Sequence, residues 1–517
     1  MKVRQRTICH TCRSRKLGCD GKQPACTQCL LRGQQCAGYN YDLIFVSHGT
    51  APANPAKRGK QPMSWRPVKN QSTSVLDAAR FGRISPDTDF ALSSISLKKS
   101  SLEDLIRLVM AEYVPENELI VLPSDSLASR PRICGCWVEV LPSMADKGDN
   151  VLDSAIRAFG LALSSGSTSS SISVPQCFEA YSSAIHLTAN RLRTTHHSFP
   201  DDLAAAIMCL TMAELMLPSS ENGWKAHAKG VGELIKLCGP AMFISGVPHK
   251  LFVGFRPLLV LASFSSCEAT FLDQEEWKSI PFYLHPQVPM QSLLSIAVAI
   301  PPIIKKVEIL TNSSPPNDSF SKAYNARSAF CDIVRRFEEW ELLLSQETAG
   351  PLCSLLAASD MHASHVGQIP NHRIRLWFPN ISVANGLTHL WAFQIICFVQ
   401  IKKLESAFPT LAPGNDLPEI FTPSSIRQEK EATNIATKIC QSAEYLMQDD
   451  MKLYGPASIT FPLETALDFF KNDSRQHEEK IAWCYRIYDR LAQKGLYVAP
   501  SFFDSQVRYF KHFPIAS

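Results

Sequence analysis

Six of the 17 cysteines in this chain fall within its first forty residues, at Cys9, Cys12, Cys19, Cys26, Cys29 and Cys36. Their spacing is C-x2-C-x6-C-x6-C-x2-C-x6-C, so the trio Cys9/Cys12/Cys19 recurs after an offset of 17 residues. A C-x2-C pair presents two thiolates from one helical turn to a single metal, and thiolate-rich tetrahedral sites in a reducing compartment favour Zn(II). Each trio supplies three ligands where a closed site needs four. Two zincs would require eight thiolates, and the shortage of two disappears if two sulfurs each bridge both metals. One binuclear cluster is the economical reading, because a single four-cysteine site would leave the regular offset without a reason. Disulfides are not expected. The start MKVRQRTICHTC is basic and lacks the apolar h-region of a secretory signal, which points to reduced, intracellular thiols.

The residues between the cysteines indicate what such a cluster would do. Between Cys12 and Cys19 lies Arg13-Ser14-Arg15-Lys16-Leu17-Gly18, with three cations, whereas Cys29 is followed by Leu30-Leu31-Arg32-Gly33-Gln34-Gln35, with one. The two halves match in metal chemistry and differ in surface. The first helix is expected to face a polyanion and the second to pack or support it. Arg and Lys donors suit the O6 and N7 acceptors of a guanine edge in the major groove, while neighbouring cations neutralise phosphates.

These residues carry a family resemblance. The six-cysteine spacing, the stretch RSRK before Cys19-Asp20, Pro24 between the halves and Gly38-Tyr39 after the last cysteine resemble the fungal binuclear zinc cluster transcription factors. The resemblance implies two zinc ions, with Cys9 and Cys26 bridging, Cys12 and Cys19 completing one site, and Cys29 and Cys36 the other. It also implies that Lys16 reads a CGG-type triplet in the major groove, with Arg13 and Arg15 on the DNA backbone. A helix entering the groove, with dimer spacing setting half-site separation, is the docking geometry of such modules. This chain has Gly18 where the family usually carries Lys or Arg, so phosphate binding is expected to be weaker by about one ion pair's share of the salt slope.

Charge is divided along the chain. Residues 1–70 hold 13 Lys and Arg against Asp20 and Asp42, a net of +11, and since the whole chain is +4 the remainder is acidic. Steep salt dependence of nucleic-acid binding follows from such a basic end. Residues 47–75 combine four prolines, two glycines and five cations with few large apolar side chains, the composition of a flexible linker. Lys57-Arg58-Gly59-Lys60 at its centre could add phosphate contacts or serve nuclear import. No a/d pattern persists for three heptads between residues 40 and 100, so no coiled coil is expected beside the cluster.

Beyond residue 100 the chain reads as helical. Leu102, Leu105, Ile106, Val109, Met110 and Tyr113 form an amphipathic stripe behind Ser100-Ser101, with Glu103 and Asp104 at its positive end. Trp224, Ala228, Val231, Leu234, Ile235 and Cys238 form a second that stops at Gly239-Pro240, and Ile481, Tyr485, Tyr488 and Leu491 a third that closes at Gly495. Residues 387–401 are apolar nearly all round and predict a buried central helix. Ser-rich 164–175, 312–319 and 409–425 predict surface loops. The most apolar run, 292–304, is interrupted by Pro301-Pro302 and falls short of the roughly 20 residues that a membrane span needs, so no membrane partner is expected. The stretches WKAHAKG at 224–230 and FPLETALDFF with AWCYRIYDRLAQKG near the end resemble, diffusely, the large helical regulatory domain found after such clusters.

No catalytic motif is present: GxGxxG, GxxxxGK[ST], GxSxG and HExxH are all missing. Cys134-Gly135-Cys136 reads as small apolar side chains, and Asp360, His362 and His365 lack a further identifiable ligand. His227 reads as a packed or capping histidine, His196-His197 as a solvated turn, and Glu338-Glu339-Trp340-Glu341 as a half-exposed helical face. The expectation is therefore a mostly α chain: a binuclear zinc module at 1–42, a disordered basic linker at 43–100 and an all-α regulatory domain at 101–517. Its expected role is a nuclear, non-enzymatic, sequence-specific regulator of transcription that binds double-stranded DNA, with a second copy or coregulators as further partners. Two other classes stay open at this level: a zinc-dependent protein-interaction module, and a helical domain that binds a small molecule.

Overall fold

The computed structural model describes residues 10–15, 19, 27–32, 101–116, 133–145, 149–165, 172–194, 200–220, 223–312, 319–357, 374–411 and 425–496. The chain divides into two compact units, Met1–Asp77 and Ala78–Ser517. Among the described residues helices dominate both. The strands among the described residues, Ser354–Ala357 and Ile374–Trp377, pair antiparallel with Ser354 opposite Trp377. The expected linker, residues 43–100, lies outside the described residues.

Local sequence sets the helix ends. Leu102–Tyr113 buries Leu105, Ile106, Val109 and Tyr113, and Ser101 caps it by accepting the Asp104 amide at 3.2 Å, satisfying one of the donors that a helix start leaves unpaired. Gly223–Cys238 buries Trp224, Ala228, Val231 and Ile235 and ends at Gly239, whose φ of 77° is the left-handed conformation that glycine adopts without strain. Glu478–Gln493 departs from the expected stripe: Cys484, Ile487, Tyr488 and Leu491 are buried, while Tyr485 is 49% exposed. Tyr488 and Leu491 are buried as expected and Ile481 packs against the core, so the departure is local: the small Cys484 takes the buried place next to Tyr485. One of the expected loops, 164–175, is shorter than its composition suggested, since Ser164 and Ser165 still close Asn150–Ser165 and Val174 already opens Val174–Thr194.

Two layers make up the large unit. Asn150–Ser165 packs between Leu102–Tyr113, Val174–Thr194 and Asp201–Met216, and Gly223–Cys238 lies beside the last of these. In the other layer Ile381–Ala407 is the central element, surrounded by Pro289–Ala297, Ile300–Asn312, Ser319–Glu347, Ser425–Gln441 and Thr460–Asn472. Gly246–Ser266 joins the layers, touching Asp201–Met216 on one side and Pro289–Ala297 on the other. Pro301 and Pro302 do not break a helix but start one, Ile300–Asn312, because the first helical turn has no intrahelical use for their missing N–H groups.

Gly246–Ser266 and Ile381–Ala407 are long and apolar enough to cross a membrane, which the proline-interrupted run at 292–304 did not foreshadow. Protein already covers them, with 89% of the apolar window of Ile381–Ala407 and 61% of that of Gly246–Ser266 buried. The central helix also carries polar groups with protein partners. Asn385 donates to the Tyr454 hydroxyl at 2.8 Å, His389 donates from Nδ1 to the Asn385 carbonyl at 2.9 Å, and Glu405 pairs with Arg327 at 2.9 Å.

A proline inside Gly246–Ser266 shows how such a core is balanced. Pro257 has no N–H, so the carbonyl of Val253 loses its helical donor. The side chain of Gln291, on Pro289–Ala297, donates to that carbonyl at 3.2 Å. With its other end Gln291 accepts from Arg256 at 3.0 Å. Arg256 is fully buried, and it also donates to the Gln291 backbone at 2.7 Å and to Ser295 Oγ at 2.7 Å, with the Phe282 ring 5.0 Å away. Burial pushes its guanidinium down to about 9, the cost of placing a charge among neutral acceptors.

Candidate metal centre and nucleic-acid interface

The amino-terminal unit repeats in structure what it repeats in sequence. His10–Ser14 and Thr27–Leu31 are five-residue helices related by the 17-residue offset of the cysteine trios, and they contact each other. Helices this short are not stable alone, because nucleation costs more than one turn returns. Something must hold them. Among the described side chains of this unit, the buried ones are Cys12 and Cys29, 1% and 3% exposed, at equivalent places in the two helices; Cys19 is half-buried. Thiols thus occupy the interior where a small domain would otherwise place leucine or valine. That donor set fits Zn(II), which takes deprotonated cysteines and couples its binding to folding. Cys9, Cys26 and Cys36 lie outside the described residues, and the bridging roles expected of Cys9 and Cys26 with them.

The outer faces differ as the intervening residues suggested. Ser14 and Arg15 are exposed on the first helix and its end, and Ser14 Oγ donates to the Thr11 carbonyl at 3.1 Å. Arg13 belongs to the first helix by its backbone, while its side chain and the whole of Lys16 lie outside the described residues. On the second helix the offset places Leu31 opposite Ser14 and Arg32 opposite Arg15, and both are exposed, Leu31 at 77%. The expectation that the leucines of the second helix would pack is therefore corrected at Leu31. A five-residue helix has one face to bury, and Cys29 occupies it.

Residues 7–42 match the family profile described as the fungal Zn(2)-Cys(6) binuclear cluster domain. The amino-terminal segment is a fungal binuclear zinc cluster. Zinc cluster domains of this family bind zinc and DNA in regulators of transcription, two ions per cluster by the family's definition. An uncharacterized protein of Emericella nidulans is 25% identical over 215 residues, which covers 40% of this chain and 45% of that relative's own length. No solved structure matches the chain.

Outside the zinc cluster, the groups that the sequence raised as candidates have structural roles or lie outside the description. Asp360, His362, His365 and His196-His197 are outside it, as are the side chains of Cys134 and Cys136, whose backbone forms part of the 3-10 turn Ile133–Val140. Among the described residues no three His, Cys, Asp or Glu side chains gather as a metal site. His227 is buried on Gly223–Cys238 and shares a 2.8 Å hydrogen bond with the Tyr181 hydroxyl. Burial lowers His227 to about 4, and burial with the nearby Glu214 carboxyl raises Tyr181 well above the ordinary phenol range. Sequence reasoning did not single out Glu214. Its Oε1 accepts from the Ser219 amide at 2.9 Å, Ser219 Oγ at 3.0 Å and the Ser220 amide at 3.2 Å, so this buried acid closes the turn after Asp201–Met216. Glu338 and Glu339 are exposed and Trp340 buried, with the Trp340 indole donating to Ser292 Oγ at 2.9 Å: the half-exposed helical face expected of them.

Proposed function

We propose that this chain is a nuclear regulator of RNA polymerase II transcription whose zinc cluster reads CGG-like triplets in the major groove. The observation that carries the reading is the asymmetry of two otherwise equivalent helices. Both bury a cysteine, but the first continues into Arg13, Arg15 and Lys16, while the second continues into Leu30, Leu31 and a single Arg32. In this assignment Cys9 and Cys26 bridge the two zincs, Cys12 and Cys19 complete one, and Cys29 and Cys36 the other. Lys16 donates to a guanine edge, and Arg13 and Arg15 hold the phosphates. The domain plan is a cluster at 1–42, a linker at 43–100 and a helical regulatory domain at 101–517 that meets coregulators or a second copy.

Single substitutions distinguish the roles. Lys16→Ala should lose on the order of 1–3 kcal/mol of discrimination between the preferred triplet and its single-base variants. Arg15→Ala should weaken all duplexes alike and reduce the slope of log affinity against log salt by about one. Equal weakening of every duplex by Lys16→Ala would move Lys16 to the phosphate contacts and leave base reading to another residue.

A further inference from the structure

Cys440 and Cys484 are both buried, at 1% and 0% exposure, and their sulfurs stand 3.5 Å apart although 44 residues separate them. Cys440 lies on Ser425–Gln441 and Cys484 on Glu478–Gln493, two helices that pack against each other. A thiol–thiol contact is a weak hydrogen bond, and a small apolar side chain would fill either position as well. What two facing sulfurs can do that two alanines cannot is form a covalent bond.

Neither sulfur is reached in the closed structure, so access to the pair requires Glu478–Gln493 to move. Glu478–Gln493 is the last described helix, and it packs mainly on Thr460–Asn472 and Ser425–Gln441. Arg490 pairs with Glu444 and Lys494, just past the helix end, with the fully exposed Asp449, solvent-accessible pairs of the kind that contribute little and weaken with salt. A peripheral helix of this kind belongs to the low-stability end of local opening. In the closed state the Cys484 contact and burial hold Cys440 far above the usual thiol range, so the pair is inert until the helix moves.

We infer that Cys440 and Cys484 are an oxidation site, which hydrogen peroxide converts to an intramolecular disulfide when Glu478–Gln493 opens. The first exposed thiolate attacks the peroxide. An S–O bond forms, the O–O bond breaks, and the departing oxygen leaves as water after taking up a proton, giving a sulfenic acid. The second thiolate then attacks that sulfur, forming S–S and breaking S–O, and the second water leaves. Two thiols lose two electrons and two protons, and one peroxide becomes two waters. The product staples the last helix to Ser425–Gln441 and closes a loop of 44 residues, which limits the unfolded chain. Oxidation of this pair would thereby rigidify the end of the helical unit.

The test uses the zinc-loaded full chain. After treatment with hydrogen peroxide, remaining thiols are blocked with N-ethylmaleimide in denaturant without reductant, and tryptic peptides are read by mass spectrometry. The expected product joins peptide 439–452 to peptide 481–486, is about 2 Da lighter than their reduced sum, and disappears with dithiothreitol. Oxidised wild type should melt several degrees higher than reduced wild type, and C440S and C484S should show neither the joined peptide nor the shift. The inference is overturned if both cysteines carry the maleimide at peroxide doses that oxidise other cysteines of the chain. It is equally overturned if Cys440 and Cys484 appear joined indiscriminately to several partners.

Discussion

If the side-chain amide of Gln291 replaces the helical hydrogen bond that Pro257 removes, the two residues must be energetically coupled. Gln291→Met keeps the shape of the side chain and removes both contacts, the donation to Val253 O at 3.2 Å and the acceptance from Arg256 at 3.0 Å. Orphaning a buried carbonyl costs about 1–3 kcal/mol and losing a charged hydrogen bond about 1.5–3, so the single variant should lose about 2.5–6 kcal/mol. Pro257→Ala restores an amide donor four residues after Val253. In that background Gln291→Met should cost only the Arg256 contact, about 1.5–3 kcal/mol, a coupling of about 1–3 kcal/mol. The cycle can be read from guanidinium unfolding followed by tryptophan fluorescence and far-ultraviolet circular dichroism, with coincident transitions required before free energies are compared. Equal costs in the two backgrounds, within about 0.5 kcal/mol, would refute the assignment of Gln291 to the freed carbonyl.

Acid should destabilise the helical unit over a defined window. Burial holds His227 and His389 at about 4 against an ordinary 6.5; with the folded value depressed, their contribution is complete above pH 6.5 and is lost as pH falls from there toward 4, by about 3 kcal/mol for each residue. His389→Gln should flatten the stability–pH curve in this window, as measured by denaturant midpoints from pH 7 to pH 4. Gly254→Ala should cost about 1–3 kcal/mol by overpacking, because its new Cβ would stand 3.0 Å from Cδ1 of the buried Trp137; thermal unfolding measures the loss. Chelation of zinc should melt the His10–Ser14 and Thr27–Leu31 helices while the helical unit keeps its circular dichroism, and native mass spectrometry should count two zincs in the untreated chain.

The parts of this molecule legible in its sequence are those set by near neighbours. The stripe from Leu105 to Tyr113 and the cap at Ser101 depend on residues within a few positions, as do the glycine stop at Gly239 and the paired short helices of the zinc cluster. Tyr485 misled because an aromatic ring counts as apolar in a periodic pattern, whereas its place is set by what Cys484 and Ile487 touch on other helices. Long-range contacts left no local trace. Gln291 serves a carbonyl 38 residues away, Asn385 a hydroxyl 69 residues away, and Cys440 faces a sulfur 44 residues away. Leu31 reads as a packing residue by its type, and only the burial of Cys29 on the same short helix explains why it faces water. For the candidate site, the cysteine pairs stand out in the sequence because C-x2-C spacing is local, and the structure buries Cys12 and Cys29 at equivalent places; the cations proposed to meet DNA are distinguished in the sequence by charge alone.

The most direct measurement of the central claim is selection of duplex DNA from a randomised pool by the zinc-loaded full chain at fixed salt, with a chelated sample in parallel. The account predicts enrichment of CGG-like triplets that disappears on chelation and blurs in Lys16→Ala. Recovery of duplexes without sequence preference from the zinc-loaded chain would contradict it.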